Sequence, residues 1–171
     1  MFRTGIGYDS HRFAVGRKLV LGGVEIPSEK GLFGHSDADV LIHALIDALL
    51  GAVADGDIGS HFPDTDETWR GADSRVLLKS VVEELRAKGW RIVNTDASVL
   101  AERPKLRPHV ESIRASLAET LGIDAARVSV KAKTNEGMDA VGRGEGISVF
   151  AVATVESTEE GKKGNDHADL Q

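Results

Sequence analysis

Two residues apart on an extended chain, Asp9 and His11 project from the same face, so a carboxylate and an imidazole can converge on one cation. The same pair also fits an exposed polar loop. His43 is more unusual, because it interrupts the apolar stretch Val40–Leu50. Asp39 and Asp47 stand one helical turn to either side of it. It reads either as part of a solvated polar stripe or as a third ligand whose second ring nitrogen is steadied by a carboxylate. One Asp and two His, without a fourth protein ligand, form the pattern of a catalytic zinc site with an open position. The chain has no cysteine, so any metal must sit on His, Asp or Glu.

Further groups could meet phosphate or sugar. His35-Ser36-Asp37 is placed at an expected helix start, where free amides and the helix dipole favour an anion; capping by Ser36 is the plainer reading. Asp57-Ile58-Gly59 and Phe62-Pro63-Asp64-Thr65-Asp66 offer carboxylates to a metal or to hydroxyls, but Asp and Pro also build turns, and composition favours turns. Arg103, Pro104, Lys105 and Arg107 make a small basic patch. Thr134-Asn135-Glu136 ends a strand with groups suited to phosphate and a hard cation. Gly142-Arg143-Gly144-Glu145-Gly146 lacks the spacing of a P-loop or dinucleotide fingerprint and reads as a tight turn with an Arg–Glu pair. His61, His109 and His167 read as surface or loop residues.

The elements that must position these groups follow from periodicity. Residues 2–8 predict a strand, and Lys18 to Ile26 a hairpin turning at Gly22-Gly23. Ser36 opens a helix, with Asp39 at capping-box spacing and an apolar repeat from Val40 to Ala52. Asp55 to Thr68 is a loop. Asp73 caps a second helix that Gly89 stops. Trp90 to Glu102 alternates as a strand, with Val93, Ala97, Val99 and Ala101 on one face. Pro108 begins a third helix ending at Gly122. Arg127 to Lys133 and Ile147 to Val155 are strands flanking a glycine-rich loop. The order βββ-α-α-β-α-β-β predicts an α/β fold of the α+β type: a two-layer sandwich of a mixed sheet with helices on one face. Residues 1–156 read as a single domain and residues 157–171 as a disordered polar tail.

The 171 residues suit one domain, and a net charge of -6 argues against nucleic acid as a partner. No apolar run has the length of a signal peptide or membrane span, so a cytoplasmic protein is expected.

Taken in order, these motifs resemble one family, 2-C-methyl-D-erythritol 2,4-cyclodiphosphate synthase of the non-mevalonate isoprenoid pathway. The resemblance is carried by Gly5 to Phe13, Leu21 to Val24, Ile26-Pro27, Gly34 to Val40 and His43 to Gly51. It continues through Gly56 to Gly59, Phe62 to Asp66, Gly71 to Ser74, Pro104-Lys105, Lys131-Ala132, Glu136 and Gly142 to Gly146, and covers roughly residues 3–155.

The resemblance implies zinc on Asp9, His11 and His43, and magnesium or manganese held with the substrate diphosphate by Glu136. His35 and Thr134 would orient the phosphate under attack, and Asp9, His11, His35 and Ser36 would line its pocket. Asp57, Ile58, Gly59, Phe62, Pro63, Asp64, Thr65 and Asp66 would meet the methylerythritol end. Ala101, Pro104, Lys105, Leu106 and Arg107, with Lys133, Thr134, Asn135 and Glu136, would hold the cytidine diphosphate portion. Arg143 completes the implied contacts. The implied assembly is a homotrimer with active sites between subunits. The implied location is the cytoplasm of a bacterial-type cell, or a plastid for a processed form. The implied reaction is intramolecular: the 2-phosphate of 4-diphosphocytidyl-2-C-methyl-D-erythritol 2-phosphate attacks its own β-phosphate, and CMP leaves.

The chain departs from the family's habit at Met138-Asp139-Ala140-Val141, where an aromatic residue is common, and at Lys133-Thr134-Asn135, where threonines often run together. Two other readings use the same residues. A zinc phosphoesterase would release orthophosphate or a linear product. A non-catalytic trimeric binding protein built on Arg143 and Glu145 would keep its function when Asp9 is replaced.

Overall fold

In the computed structural model, which describes residues 1–158, the first strand is twice the expected length: β1 spans Phe2–Val15. Asp9 and His11 therefore lie within a strand rather than in the loop beyond one. β2 (Leu19–Leu21) and β3 (Val24–Ile26) form the expected hairpin, and Gly22 and Gly23 turn it with φ of 60° and 75°. That positive-φ pair is the requirement of a two-residue hairpin turn. A short strand without a sequence signal, β4 (Lys30–Leu32), pairs antiparallel with the end of β1.

The first long helix, α1 (Val40–Val53), starts later than expected. Its cap is Asp39, whose side chain accepts from the Ile42 amide; Ser36 lies upstream of the helix. Asp39 is fully buried and also accepts from the amides of Gly22 and Gly23, so one carboxylate caps the helix and anchors the hairpin. α1 is apolar around most of its circumference because it is covered on both sides, by β1 and β7 beneath and by α3 beside it.

The expected loop that follows contains one helical turn, α2 (Ile58–His61). α3 (Ser74–Ala87) begins at the predicted cap, Asp73. β5 is Trp90–Leu100. A bulge between Ile92 and Asn94 shifts its alternation, so Ile92 and Thr95 face inward with Ala97 and Val99, and Val93 does not join them. Pro108 falls in a 3-10 turn, Arg107–His109, that leads into α4 (Val110–Leu121) rather than starting the helix itself. Gly122 ends α4 in the left-handed region as expected. β6 is Val128–Lys133, the turn α5 is Asp139–Gly142, and β7 is Gly146–Ser157.

The main sheet has the order β4-β1-β7-β5-β6, all antiparallel except the β5–β6 pair, so it is mixed as expected. α1, α3 and α4 pack against one face, where Ile147, Val149, Ala151, Ala153 and Val155 of β7 are buried. The expected polar tail lies almost entirely outside the described residues. Ser157 and Thr158 continue the order of the domain, and Thr158 donates to the Gly89 carbonyl.

Candidate active site

The site depends on how closely α1 approaches β1. Gly5 and Gly7 occupy inward positions of β1, and a Cβ on Gly7 would stand 1.9 Å from the Ala44 carbonyl oxygen. One on Gly5 would stand 2.1 Å from that of Ala48. With glycine at both positions the helix backbone lies directly on the strand. Asp9 and His11 continue the same inward face beyond Gly5 and Gly7, and His43 descends on them from the first turns of α1.

Three ligand atoms meet there. Asp9 Oδ2 lies 3.0 Å from His11 Nε2 and 3.0 Å from His43 Nδ1, and the two ring nitrogens are 3.2 Å apart. The outer nitrogen of each ring is occupied. His11 Nδ1 donates to the Phe33 carbonyl at 2.7 Å. His43 Nε2 lies 3.0 Å from Ser74 Oγ and 3.2 Å from Ser36 Oγ. Once its inner proton is given up, each ring can turn a lone pair inward beside the carboxylate, a donor set fitted to zinc. The carboxylate partner expected for His43 is corrected: Asp39 is committed to the hairpin, and Asp47 accepts the Ile58 amide at 2.8 Å. Hydroxyls take that role. Burial would raise the Asp9 carboxyl, but hydrogen bonds from His11 and His43 carry it well below the ordinary range. Burial lowers His11, but the hydrogen bond and the negative charge of Asp9, with the Phe33 carbonyl, together raise it above its ordinary value.

Around this centre the segment 35–37 is laced to the chain before α3. Gly71 donates to the His35 carbonyl and Asp37 N to the Ala72 carbonyl. His35 Nε2 lies 3.2 Å from the Asp66 carbonyl oxygen, which sets His35 beside the Phe62–Asp66 stretch. Within the loop the turn reading of the carboxylates holds. Asp57 caps α2 through Ser60, and Asp66 accepts from the Thr68 amide. Phe62 is held edge-on to Trp69, with ring centroids 5.1 Å apart, while Pro63, Asp64 and Thr65 are exposed.

The second group of predicted residues gathers at the β5–β6 edge. Ala101 N donates to the Lys133 carbonyl, which places 101–107 beside 133–136. Thr134 Oγ1 donates to Glu136 Oε1 at 2.6 Å. Glu102 was not anticipated as part of this arrangement: its two oxygens accept the amides of Asn135 and Gly137, on either side of Glu136, whose φ is 52°. Lys105 and Arg107 are exposed, whereas Leu106 is a core residue at 4% exposure. Arg143 pairs with Glu145 at 2.6 Å, the turn pair expected from the sequence.

The ends of β1, β5 and β6 lie at the same end of the sheet, but β7 and β5 separate β1 from β6. At about 4.8 Å per strand, β1, which carries Asp9, is roughly 14 Å across the sheet from β6, which leads into Glu136. One ion cannot contact both, so the chain presents two half-sites.

His61, expected to be a surface or loop residue, is part-exposed at the end of α2 and faces two carboxylates. It lies 3.3 Å from Glu84 and 3.7 Å from Asp55. Lys88 Nζ already bridges these carboxylates, at 2.6 Å from Asp55 and 2.8 Å from Glu84, so an ammonium fills the place of a cation.

The YgbB family pattern matches residues 2–156. The chain belongs to the YgbB family. It is 57% identical over 152 residues to the 2-C-methyl-D-erythritol 2,4-cyclodiphosphate synthase of Chromobacterium violaceum, covering 89% of this chain and 96% of that one. The synthase of Dechloromonas aromatica is 58% identical over 155 residues, 91% of this chain and 97% of its own. Among solved structures, a 2C-methyl-D-erythritol-2,4-cyclodiphosphate synthase in a CDP-bound form superposes with a TM-score of 0.83 at 40% identity, covering 90% of this chain and 100% of that one. The Plasmodium falciparum IspF CDP complex gives 0.81 at 32% identity, covering 92% and 97%. Among the described residues no helix is long and apolar enough to cross a membrane.

Proposed function

We propose that this chain converts 4-diphosphocytidyl-2-C-methyl-D-erythritol 2-phosphate to 2-C-methyl-D-erythritol 2,4-cyclodiphosphate and CMP. The observation that carries this reading is the convergence of Asp9, His11 and His43 at the mouth of the sheet, in a chain whose relatives bear that synthase name.

Asp9, His11 and His43 would hold zinc, which when bound supplies positive charge and a fixed seat for a phosphate oxygen. Glu136, tied to Thr134, offers a hard carboxylate suited to magnesium or manganese, which keep waters and take substrate phosphate oxygens. The reaction brings two anionic phosphates together, so its barrier falls when charge is neutralised and the groups are aligned. His35 and Thr134 orient the phosphate to be attacked, and Ser36, whose hydroxyl lies 3.2 Å from His43 Nε2, lines its pocket. An oxygen of the 2-phosphate bonds to the β-phosphorus, the bond from that phosphorus to the bridging oxygen breaks, and CMP leaves with the electron pair. No side chain of the protein needs to act as nucleophile, and folding the substrate on itself supplies proximity. The exposed segments Asp57–Gly59 and Phe62–Asp66 receive the methylerythritol end. Pro104, Lys105, Lys133 and Asn135 receive the cytidine diphosphate end.

The two half-sites are joined by assembly. The outer face of β1 and β7 leaves Ile6, Tyr8, Phe150 and Val152 exposed, at 69%, 51%, 46% and 38%. An apolar sheet face of this kind is suited to burial against copies of itself. A homotrimer buries it and brings the Asp9 half-site of one subunit to the Glu136 half-site of a neighbour. The enzyme acts as a phosphorus–oxygen lyase in the cytoplasm.

Phosphorus NMR of the protein incubated with substrate and a divalent ion tests the assignment. The expected products are CMP and a cyclic diphosphate. Orthophosphate or a linear product would overturn the cyclase reading in favour of a phosphoesterase.

A further inference from the structure

His43 offers Nδ1, not Nε2, to the cluster, and the atoms behind its Nε2 form a continuous line. Ser74 Oγ lies 3.0 Å from Nε2 and donates to Asp37 Oδ1 at 2.5 Å. Because its single proton goes to Asp37, Ser74 Oγ can only accept from His43, so Nε2 must carry the ring proton. Ser36 Oγ gives Nε2 a second acceptor at 3.2 Å. Asp37 is itself fixed from three directions: Oδ2 accepts the Ser74 amide at 3.0 Å, Oδ1 accepts the Asp39 amide at 3.1 Å, and its own amide donates to the Ala72 carbonyl. Ser74 is fully buried, yet it is not the cap of α3, a role that Asp73 fills through the Arg75 amide. The buried hydroxyl at the first position of the helix is therefore free for another task.

We infer that Asp37 and Ser74 are positioning residues for the metal centre: through Ser74 Oγ the Asp37 carboxylate fixes the His43 tautomer and holds Nδ1 toward the ion. This rests on the zinc reading of Asp9, His11 and His43. A carboxylate that reaches a metal-bound imidazole through a second partner raises its basicity and removes its freedom to rotate, and losing such support weakens metal binding about 10- to 100-fold. The line also ties the centre to the start of α3, so a shift of the 55–73 segment, which includes the residues assigned to the substrate, would be felt at His43.

The test is zinc affinity by competition with a chromophoric chelator, alongside nitrogen-15 NMR of the histidine rings in the zinc-loaded protein. In the wild type the His43 signals should show Nδ1 bound to metal and Nε2 protonated. Ser74→Ala should weaken zinc binding about tenfold, and Ser36→Ala with Ser74→Ala further, toward 100-fold. Asp37→Asn should weaken it in the same direction. Thermal melts of the zinc-free proteins check folding. Ser74→Thr, which keeps the hydroxyl, should restore affinity if it folds. Wild-type zinc affinity in a folded Ser74→Ala protein overturns the inference, as does an NMR pattern with Nε2 on the metal. If His43→Ala loses zinc while Ser74→Ala keeps it, the relay fails alone. If His43→Ala keeps zinc, the zinc reading fails with it.

Discussion

At the scale of single residues the centre works because each imidazole has one nitrogen engaged elsewhere. Asp9 is the shared neighbour of both rings, so its loss should be felt most directly. Asp9→Asn and His43→Ala are expected to lose bound zinc and turnover while the assembly stays intact. Metal content and size-exclusion chromatography on the same samples check this. Glu136 stands in a different half-site, and its replacement should separate the two metals. Glu136→Gln is expected to keep zinc but to raise the magnesium or manganese concentration needed for half-maximal rate, read from a metal titration. The residue types at this scale were legible in the sequence. The partner of His43 was not, because Asp39 and Asp47 are near it along the helix but spend their oxygens on amides of the hairpin and of α2.

At the scale of elements, the contact of α1 with β1 decides whether His43 reaches Asp9. Gly7→Ala would press a methyl group into the Ala44 carbonyl, and backbone cannot yield as a side-chain end can. Overpacking of this kind costs about 1–3 kcal/mol or more, seen as a lowered denaturation midpoint. The Asp55–His61–Glu84–Lys88 cluster pins the loop after α1 to the end of α3. The hydrogen bond from Lys88 holds the Asp55 carboxyl below its ordinary 3.8. Its support for the fold is thus present above that pH and is lost as pH falls through the lowered value. Since these groups are part-exposed, Lys88→Met should cost less than about 1 kcal/mol, and the difference from wild type should shrink in high salt and below pH 4. Denaturant titrations at two pH values measure it. The helices and the hairpin were readable because capping and turn residues are local signals. β4 was not, since a three-residue strand has too little periodicity to see, and the bulge in β5 put Ile92 rather than Val93 on the inward face.

At the scale of the whole molecule, the apolar outer face of β1 and β7 is the surface most in need of a partner. Tyr8 and Phe150 lie tilted against each other across the two strands with ring centroids 4.8 Å apart, both about half exposed in the single chain. Ile6→Glu with Val152→Glu should dissociate the assembly, since burying paired carboxylates there is costly. Sedimentation should show a monomer, and activity should fall with it, although zinc remains bound to the Asp9 half-site. The sequence by itself determined the ligand types, the absence of thiolate chemistry, the main helices and the family, because these depend on residue identity and short spacing. Only the tertiary structure decided that Gly5 and Gly7 admit α1, that hydroxyls rather than carboxylates stand behind His43, and that two strands separate β1, which carries Asp9, from β6, which leads into Glu136. Those facts depend on which backbones approach across the sheet, a relation between distant segments that no local pattern records.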